Sequence, residues 1–517
     1  MDLFLFLYHI GFFLIHGSLY LLHVVTLLLY RTFGWWLFRL AACLLGTSAE
    51  GDHNVNFLLT HSFSERSIFA LTSRENRWVM DWFGLSEMES GITPIESSRT
   101  VKEIDAKSKI KLDPDLVDMY IPNYTVAPYN GHLHTIMGSC TPFPFIKMSR
   151  EVVKSYDLNR LCLDFFYPTR KAVENGIYST DNTDLGRETL DPRLPAPRAF
   201  ILMLPGITGS SQDIYMRRMI AVFLKQNFCC CVLNIRGMKD TPLEVPQIYS
   251  GIFTADIRFT LMKYLRGEQI QSRLGSPRRV PIFGIGFSLG GAILSNYVGE
   301  CGKKSKSSGL DAVISICAPH DFITSSVAMG KLFARWTYNR IITERLVSYC
   351  KRHARVVENC YGIDHEKLFK GSRPLLRSLR DLKSFDEHIT APHFGFSSAM
   401  EYYTAANNFP RLRCSQTPQM CVITADDPIC GAPKLWTEWA SLVRAQTTGL
   451  VYLEMPSGGH LGFIGSPFQV FRERANPVES LLARSVCCFV DHYEKMQMSV
   501  KSEAGVCNGD MKEEGHT

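Results

Sequence analysis

From residue 198 onward, short apolar runs alternate with longer stretches in which apolar residues recur at helical spacing. Short continuous runs of this kind are typical of strands that are buried on both faces of a sheet. Their alternation with helical stretches predicts an α/β fold, with a mostly parallel sheet and helices on both faces. The predicted strands are 199–204, 229–233, 280–285, 312–317, 420–424 and 450–455.

The amino end has a different pattern, because residues 3–30 carry no formal charge and are mostly Leu, Phe, Ile, Val and Tyr. As a helix this run would be about 42 Å long, more than a hydrocarbon core of about 30 Å. It lacks the basic start of a signal peptide, so we expect a retained single-pass transmembrane helix within 1–46 rather than a cleaved leader. Trp35 and Trp36 lie between Arg31 and Arg39, a pattern typical of a membrane interface. The positive-inside rule favours the cytosol for the body of the protein, with the endoplasmic reticulum as one candidate membrane. The alternative is a lumenal body, in which case the glycosylation sequon Asn-Tyr-Thr at 123–125 would matter.

The rest of the chain divides by composition. Residues 47–120 are mixed and polar, and are interpreted as a connecting or peripheral region. The α/β domain is predicted over 121–498. Within it, residues 320–413 have no strand rhythm and are too many for a plain loop, which predicts an inserted helical cap. Residues 499–517 are polar and are predicted to form a disordered tail.

Charge and cysteine content exclude several classes. A formal net charge of +6 is small for 517 residues and no basic-aromatic patch is present, so no nucleic-acid partner is expected. None of the 16 cysteines forms a C-x-x-C pair, and the run 229–231 falls in an apolar stretch, which favours buried free thiols in a reducing compartment. His132 and His134 would share one face of an extended segment, but no third metal ligand is evident nearby. We therefore expect neither a metal nor an organic cofactor.

The pentapeptide Gly-Phe-Ser-Leu-Gly at 286–290 lies between the predicted strand 280–285 and a helix-like run at 291–298. A strand, a sharp turn with a central serine and a helix form the nucleophile elbow of an α/β-hydrolase. Ser288 would be the nucleophile. Gly286 and Gly290 would be required because side chains there would collide with the neighbouring strand and helix. The pentapeptide alone is weak evidence, since chance produces it in many chains of this length.

An aspartate and a histidine follow Ser288 in the order that this fold uses. Asp426 and Asp427 come directly after the strand 420–424, and His460 follows the strand 450–455. The carboxyl ends of parallel strands meet at one edge of a sheet, where ligands bind. His460 would take the proton of Ser288 and a carboxylate would fix its tautomer. Asp427 is preferred for this role because a Pro-Ile turn follows it, with Asp426 as a hydrogen-bonding neighbour; the alternative for His460 is a packed loop histidine.

The oxyanion of an acyl-transfer reaction needs two amide donors. One is expected from Leu289, after the nucleophile, and the other from Ile207, in the loop after the strand 199–204. Gly206 lets this loop approach closely. The alternative is a plain Gly/Ser turn, and a phosphate-binding loop is disfavoured because no G-K-[ST] follows. Arg236 either faces the site or, as we favour, is a surface or ion-paired arginine that positions its loop. Asp386, within Phe-Asp-Glu at 385–387, is interpreted as part of a helix start or loop anchor.

Six short motifs occur along the chain: Gly-His-Leu-His-Thr at 131–135, Leu-Pro-Gly-Ile-Thr-Gly at 204–209, Asn-Ile-Arg-Gly at 234–237, Gly-Phe-Ser-Leu-Gly-Gly at 286–291, Ala-Asp-Asp-Pro at 425–428 and Gly-Gly-His-Leu-Gly at 458–462. Together they resemble those of the membrane-anchored abhydrolase-domain esterases and lipases of the AB hydrolase superfamily, in particular the YheT-like branch. The resemblance implies Ser288, Asp427 and His460 as the catalytic triad, an N-terminal anchor, and activity on acyl esters. Pro205 and His134 depart from the usual His and Gln, and the loops around the site are long.

These patterns predict a serine hydrolase that cleaves carboxylic esters through an acyl-enzyme. The resemblance implies lipid esters such as monoacylglycerols, phospholipids or short- and medium-chain fatty acyl esters as substrates, and a bilayer as partner. The alternatives are acyl transfer to an alcohol at the same site and a non-catalytic hydrolase-like protein that binds lipid. The oligomeric state is left open.

Overall fold

The computed structural model describes residues 11–19, 21–22, 68–86, 116–121, 130–141, 143, 145–175, 185–370, 374–431, 436–445, 449–465 and 476–509. The predicted anchor over 3–30 lies mostly outside these residues, and so do the interfacial segment 31–39 and residues 510–517. Residues 11–19 and 21–22 are helical. Among the described residues, no helix combines the length and the apolar composition that a membrane crossing requires.

One sheet of eleven strands organises the chain. The strands are β1 (Ile68–Ser73), β2 (Leu116–Ile121), β3 (Ser149–Lys154), β4 (Arg160–Pro168), β5 (Gly186–Arg187), β6 (Phe200–Leu204), β7 (Cys229–Leu233), β8 (Ile282–Phe287), β9 (Ala312–Ile316), β10 (Gln419–Thr424) and β11 (Leu450–Met455). They are ordered β2-β1-β11-β10-β9-β8-β6-β7-β4-β3, with β5 beside β4. The six strands β6 to β11 pair with one another in parallel. At the two ends of the sheet, the strands β1 and β2 and the strands β3 and β4 are joined to it by antiparallel pairs. The prediction of a mostly parallel sheet is confirmed, since the six predicted strands are β6 to β11.

Helices cover both faces of the sheet. Outside the cap they are α1 (Trp78–Trp82), α2 (Gly131–Cys140), α3 (Arg170–Asn175), α4 (Ile214–Leu224), α5 (Ala255–Lys263), α6 (Gly267–Arg273), α7 (Leu289–Lys303), α18 (Trp436–Ala445) and α19 (Pro477–Gly509). The helices α4 and α19 pack on one face, and α5, α6 and α7 on the other. The cysteines of β7 are free and buried, and they alternate between these two cores: Cys230 lies in the first, Cys229 and Cys231 in the second.

Two predicted boundaries need correction. The region 47–120 is more than a connection, because it supplies β1 and β2, and β1 pairs with β11 at the edge of the sheet. At the other end, α19 continues to Gly509, so a disordered tail does not begin at residue 499. The two regions also contact each other, because α1, which follows β1, packs against α19.

The cap fills the interval between β9 and β10 and is helical, as expected for 320–413. Its α-helices are α8 (Phe322–Gly330), α9 (Leu332–Ala334), α10 (Arg340–Arg352), α11 (Ala354–Val357), α12 (His365–Phe369), α13 (Leu375–Ser378), α14 (Leu382–Phe385), α15 (Ala391–His393), α16 (Ala399–Ala406) and α17 (Phe409–Leu412). Two π-helical turns, Arg335–Asn339 and Asp386–Thr390, interrupt them. The cap has its own apolar core, which also packs against the loop after β7 through Met238, Leu243 and Ile248.

Candidate active site

Ser288 stands on a strained turn between β8 and α7. Its φ of 50° and ψ of −122° lie in a region that non-glycine residues rarely occupy. Its amide donates to the carbonyl of Ile316 at 2.9 Å, which ties the turn to the end of β9. A side chain at Gly286 would collide with the backbone of Gly290 and Gly291, and one at Gly290 with the carbonyls of Leu204 and Pro205. The glycine requirement predicted from the sequence therefore has a direct steric cause.

His460 and Asp427 lie next to this serine. His460 Nε2 is 3.0 Å from Ser288 Oγ, and His460 Nδ1 is 2.9 Å from Asp427 Oδ2. The other carboxylate oxygen, Oδ1, accepts the amides of Ile429 and Cys430 at 2.8 Å each. Asp427 is therefore fixed by three hydrogen bonds at the end of β10, and the structure brings the three predicted residues into one hydrogen-bonded chain.

Asp426 shapes the loop that carries the histidine. Its Oδ1 accepts the amides of Gly458 and Gly459 at 3.0 and 2.8 Å, and its Oδ2 accepts the hydroxyl of Ser457 at 2.8 Å. Burial raises the pKa of this carboxyl. These hydrogen bonds do not involve Ser288. The position of Asp426 therefore agrees with its predicted role as a hydrogen-bonding residue beside Asp427.

The helix α2 supports the same loop from the other side. Thr135 Oγ1 accepts the amide of His460 at 2.8 Å and donates to the carbonyl of Gly131 at 2.7 Å. The sequence analysis assigned no role to Thr135. The available signal was its place in the motif at 131–135, which is one of the segments that resemble the esterase family.

The pairing of His132 and His134 as metal ligands is not supported. Asn130 caps α2 by accepting the amide of Leu133 at 2.9 Å, so the segment is helical rather than extended. Residues two apart on a helix do not share a face. His134 Nδ1 accepts the amide of Ile464 at 3.1 Å, whereas the ring of His132 stacks on Tyr338.

A second group of potential ligands lies within the site itself. One donor atom each from Cys317, Asp427 and His460 lies within 4.8 Å of the others. However, His460 Nδ1 and Asp427 already share a hydrogen bond. Burial also raises the pKa of the Cys317 thiol well above its usual range, which opposes the thiolate that a metal needs. This arrangement suits a tautomer-fixed imidazole better than a metal centre.

The loop after β6 approaches the nucleophile as expected. A side chain at Gly206 would meet Ser288 Cβ at 3.2 Å, which shows how close the backbone of this loop comes. The amide of Gly206 donates to Tyr215 Oη at 2.9 Å, a contact that the sequence did not predict. Ile207, the next residue, lines the same cavity as Ser288 and Leu289. The amide of Ile207 is therefore the better candidate donor in this loop.

A cavity of about 320 Å³ extends from Ser288 into the cap. Its wall is mostly aliphatic and aromatic, with Leu289 and Ile207 near the serine and cap residues that include Phe322, Met329, Leu346 and Phe385. Such a lining accepts an apolar group better than a charged one.

The cavity also contains a buried carboxyl group, that of Asp386. Thr390 donates to its Oδ1 at 2.6 Å and Tyr403 Oη donates to its Oδ2 at 2.8 Å. Burial raises the pKa of Asp386 to about 6. Asp386 begins a π-helical turn, in agreement with its interpretation as a helix start or loop anchor. Its place in the cavity wall was not anticipated.

Arg236 does not line the cavity, and the favoured ion-paired role agrees with its contacts. Its guanidinium is fully buried, pairs with Asp256, and donates to Asp157 at 2.7 Å. The surface position that was considered for it is wrong. The pairing connects the loop after β7 to α5 and to the turn between β3 and β4.

Comparison with known proteins agrees with this geometry. A family model described as the alpha/beta hydrolase fold matches residues 200–467, just over half of the chain. A protein named monoacylglycerol lipase from Saccharomyces cerevisiae is 27% identical over 72% of this chain and 84% of its own length. A protein named Phospholipase ABHD3 from Homo sapiens is 24% identical over 73% of this chain and 81% of its own.

Two further similarities are weaker. A yeast protein named medium-chain fatty acid ethyl ester synthase/esterase 2 is 25% identical over 51% of this chain and 58% of its own. The solved structure of the Pyrococcus furiosus esterase Pf2001 covers 67% of this chain and 92% of its own, at 12% identity and a TM-score of 0.38, which is too low to add to the assignment. The family model and the eleven-stranded sheet with its serine turn are sufficient: the chain belongs to the family of proteins with the alpha/beta hydrolase fold.

Proposed function

We propose that this protein is a serine hydrolase that cleaves carboxylic esters, with Ser288 as nucleophile, His460 as general base and acid, and Asp427 as the carboxylate that orients the histidine. The observation that carries the proposal is the hydrogen-bonded chain from Ser288 Oγ to His460 Nε2 and from His460 Nδ1 to Asp427. It stands at the carboxyl ends of parallel strands, beneath an apolar cavity.

The proposed reaction has two halves. In the first, His460 Nε2 takes the proton of Ser288 as Oγ attacks the ester carbonyl carbon, and the amides of Ile207 and Leu289 stabilise the oxyanion. The tetrahedral intermediate collapses, the ester C–O bond breaks, and His460 returns the proton to the departing alcohol. In the second half, water gives a proton to His460 and attacks the acyl-enzyme, the bond from the acyl carbon to Ser288 Oγ breaks, and His460 returns the proton to Oγ as the acid leaves. Apart from the ester and the water, every reacting group in these steps belongs to the chain.

Lipid esters are the proposed substrates. The cavity wall is mostly apolar, and its volume of about 320 Å³ is near the lower end of the range of about 300–1,000 Å³ for small-molecule sites. The names of the relatives support monoacylglycerols, phospholipids or medium-chain esters as substrate classes. The relative named synthase/esterase also supports acyl transfer, in which an alcohol replaces the attacking water.

Membrane attachment and the family branch belong to the same proposal. We infer a single-pass anchor within 1–46 from the uncharged apolar run at 3–30, with the catalytic domain in the cytosol. Carbonate extraction of membranes tests the anchor, since release of the protein into the supernatant contradicts it. The motif at 131–135 supports the YheT-like branch.

A fluorophosphonate probe tests the catalytic role. We expect the folded wild type to be labelled at Ser288 and the Ser288→Ala variant to remain unlabelled. Ser295, which is buried in α7, offers a matched control, because Ser295→Ala should leave labelling unchanged. An unlabelled wild type, or equal labelling of Ser288→Ala, would favour the non-catalytic lipid-binding alternative.

A further inference from the structure

Three cap residues beside the cavity have unusually exposed apolar side chains. Leu332 is 78% exposed, Trp336 67% and Phe333 46%. We call them the rim surface, together with Ile136 of α2, which is 39% exposed. Scattered single exposed apolar residues are normal, but a cluster that includes tryptophan marks an interaction site.

The rim surface adjoins the opening of the cavity. Gly330 and Arg335 are exposed and also line the cavity. They flank Leu332 and Phe333 in the chain, and Trp336 follows Arg335 directly. An apolar molecule that leaves the cavity on this side therefore passes the rim surface.

The helix α2 connects the rim surface to the apolar amino end of the chain. On one side the ring of His132 contacts Phe333, with 4.5 Å between ring centroids. On another side Met137 and Leu133 of α2 share an apolar cluster with Phe12 of the N-terminal helix. Leu14 and Ile15 of that helix are exposed. The helix α2 therefore contacts both the rim surface and the N-terminal helix.

Basic side chains border the rim surface. Residues 322–343 contain Lys331, Arg335 and Arg340 and no Asp or Glu, although the next residue, Glu344, pairs with Arg340. Lys331 and Arg335 are exposed, as is Lys383, which also lines the cavity near its opening. Apolar and aromatic side chains bordered by Lys and Arg are typical of surfaces that enter the interface of an anionic bilayer. A protein partner would not require this combination.

We propose that the rim surface inserts into the interface of a lipid bilayer that contains anionic lipid, so that the cavity opens toward the membrane and takes its ester from it. The membrane contact stands on the rim residues alone, whereas the delivery of substrate rests on the proposed function. Lys331 and Arg335 then contact lipid phosphates.

The first experiment compares two double variants of the full chain in vesicles of phosphatidylcholine and phosphatidylserine. Leu332→Ser with Trp336→Ser removes the most exposed part of the rim surface. Leu158→Ser with Met262→Ser is the matched control, because these side chains are 68% and 67% exposed and lie outside the cap. We expect the rim variant to hydrolyse a long-chain monoacylglycerol in the bilayer at least about tenfold more slowly, with an unchanged rate on a water-soluble short-chain ester. The control variant should match the wild type on both esters.

A rim variant with the wild-type rate in the bilayer, or with an equal loss on both esters, contradicts the proposal. If the wild type is inactive on both esters, the result contradicts the proposed function and not the membrane contact. The membrane contact is then tested by a second measurement. That measurement uses the Ser288→Ala protein, which consumes no substrate, with brominated lipid as a fluorescence quencher. Adding Trp336→Phe should lower the quenched fraction of tryptophan emission. An unchanged fraction overturns the proposal, and is the result expected if a protein partner or another part of this chain covers the rim surface.

Discussion

The sheet and the cap hold their functional groups in different ways. At the sheet, main-chain contacts fix the reacting residues: Ser288 is bound through its amide to β9, Asp427 accepts two amides, and Asp426 accepts two more. In the cap, side chains on short helices and π-helical turns form the cavity, as with Asp386, Thr390 and Tyr403. Backbone-fixed groups have little freedom, whereas a cavity formed by side chains can vary by substitution. We therefore expect the sheet to determine the reaction and the cap to determine the substrate.

The largest expected effect is at the carboxylate of the proposed triad. Asp427→Asn should lower kcat on a soluble ester by a factor of about 10⁴, because an amide donor facing His460 Nδ1 favours the wrong tautomer. Steady-state kinetics measure it, with circular dichroism to verify folding. A fall of less than about tenfold would exclude Asp427 as the orienting group.

The second prediction compares a glycine next to the nucleophilic serine with one of the cap. A side chain at Gly290 would collide with two carbonyls of the loop after β6, whereas one at Gly330 meets no atom within 4 Å. Gly290→Ala should lower the free energy of unfolding by about 3 kcal/mol, the upper part of the range for overpacking. Gly330→Ala should change it by less than about 0.5 kcal/mol, as for other surface substitutions. Urea unfolding tests both, and similar midpoints would refute the steric explanation.

Local pattern was sufficient for the strands β6 to β11 and for the serine turn, but not for β1 to β5. Each of the strands β6 to β11 is a short apolar run, and the order of Ser288, Asp427 and His460 follows from which residue comes after which strand. Contacts between distant segments of the chain could not be predicted from local sequence pattern. Thr135 binds the amide of a residue 325 positions later, and Thr72 of β1 binds a carbonyl 378 positions later.

The metal interpretation of His132 and His134, which was disfavoured, required an extended segment, whereas Asn130 before them caps a helix. The helix-capping residue is a local signal against that interpretation. For Asp386 no local signal existed, because its cavity is assembled from several helices and from the loop after β7. The cap was predictable as helical, but its interior was not.

The third prediction tests whether the backbone contacts of the His460 loop matter for the reaction. Asp426→Ala removes the acceptor of two amides and one hydroxyl, and should lower kcat about a hundredfold through displacement of His460. Asp426→Asn keeps an oxygen for both amides and presents a donor to Ser457, so it should restore most of the activity. If Asn and Ala give equal losses, Asp426 acts by its charge rather than by positioning the loop.

The smallest effect is expected in the cap, at Asp386. Because burial raises its pKa to about 6, the folded protein holds this proton more tightly than the unfolded chain does. The stability that the protonated form contributes is complete below the unfolded pKa of about 4, and is lost as the pH rises through about 6. Relative to Asp386→Asn, the wild type should lose about 1–2 kcal/mol between about pH 4 and pH 7.

Urea unfolding of the wild type and of Asp386→Asn across this pH range measures the difference between their free energies of unfolding. Carboxyl groups that the two proteins share contribute equally to both values and cancel in the difference. Tyr403→Phe provides the control, because it removes one donor to the carboxylate and should move the loss of stability to higher pH. A difference that does not vary with pH means that Asp386 stays ionised throughout. In that case the cap presents a fixed negative charge to the cavity, and an apolar acyl group would have to bind away from it.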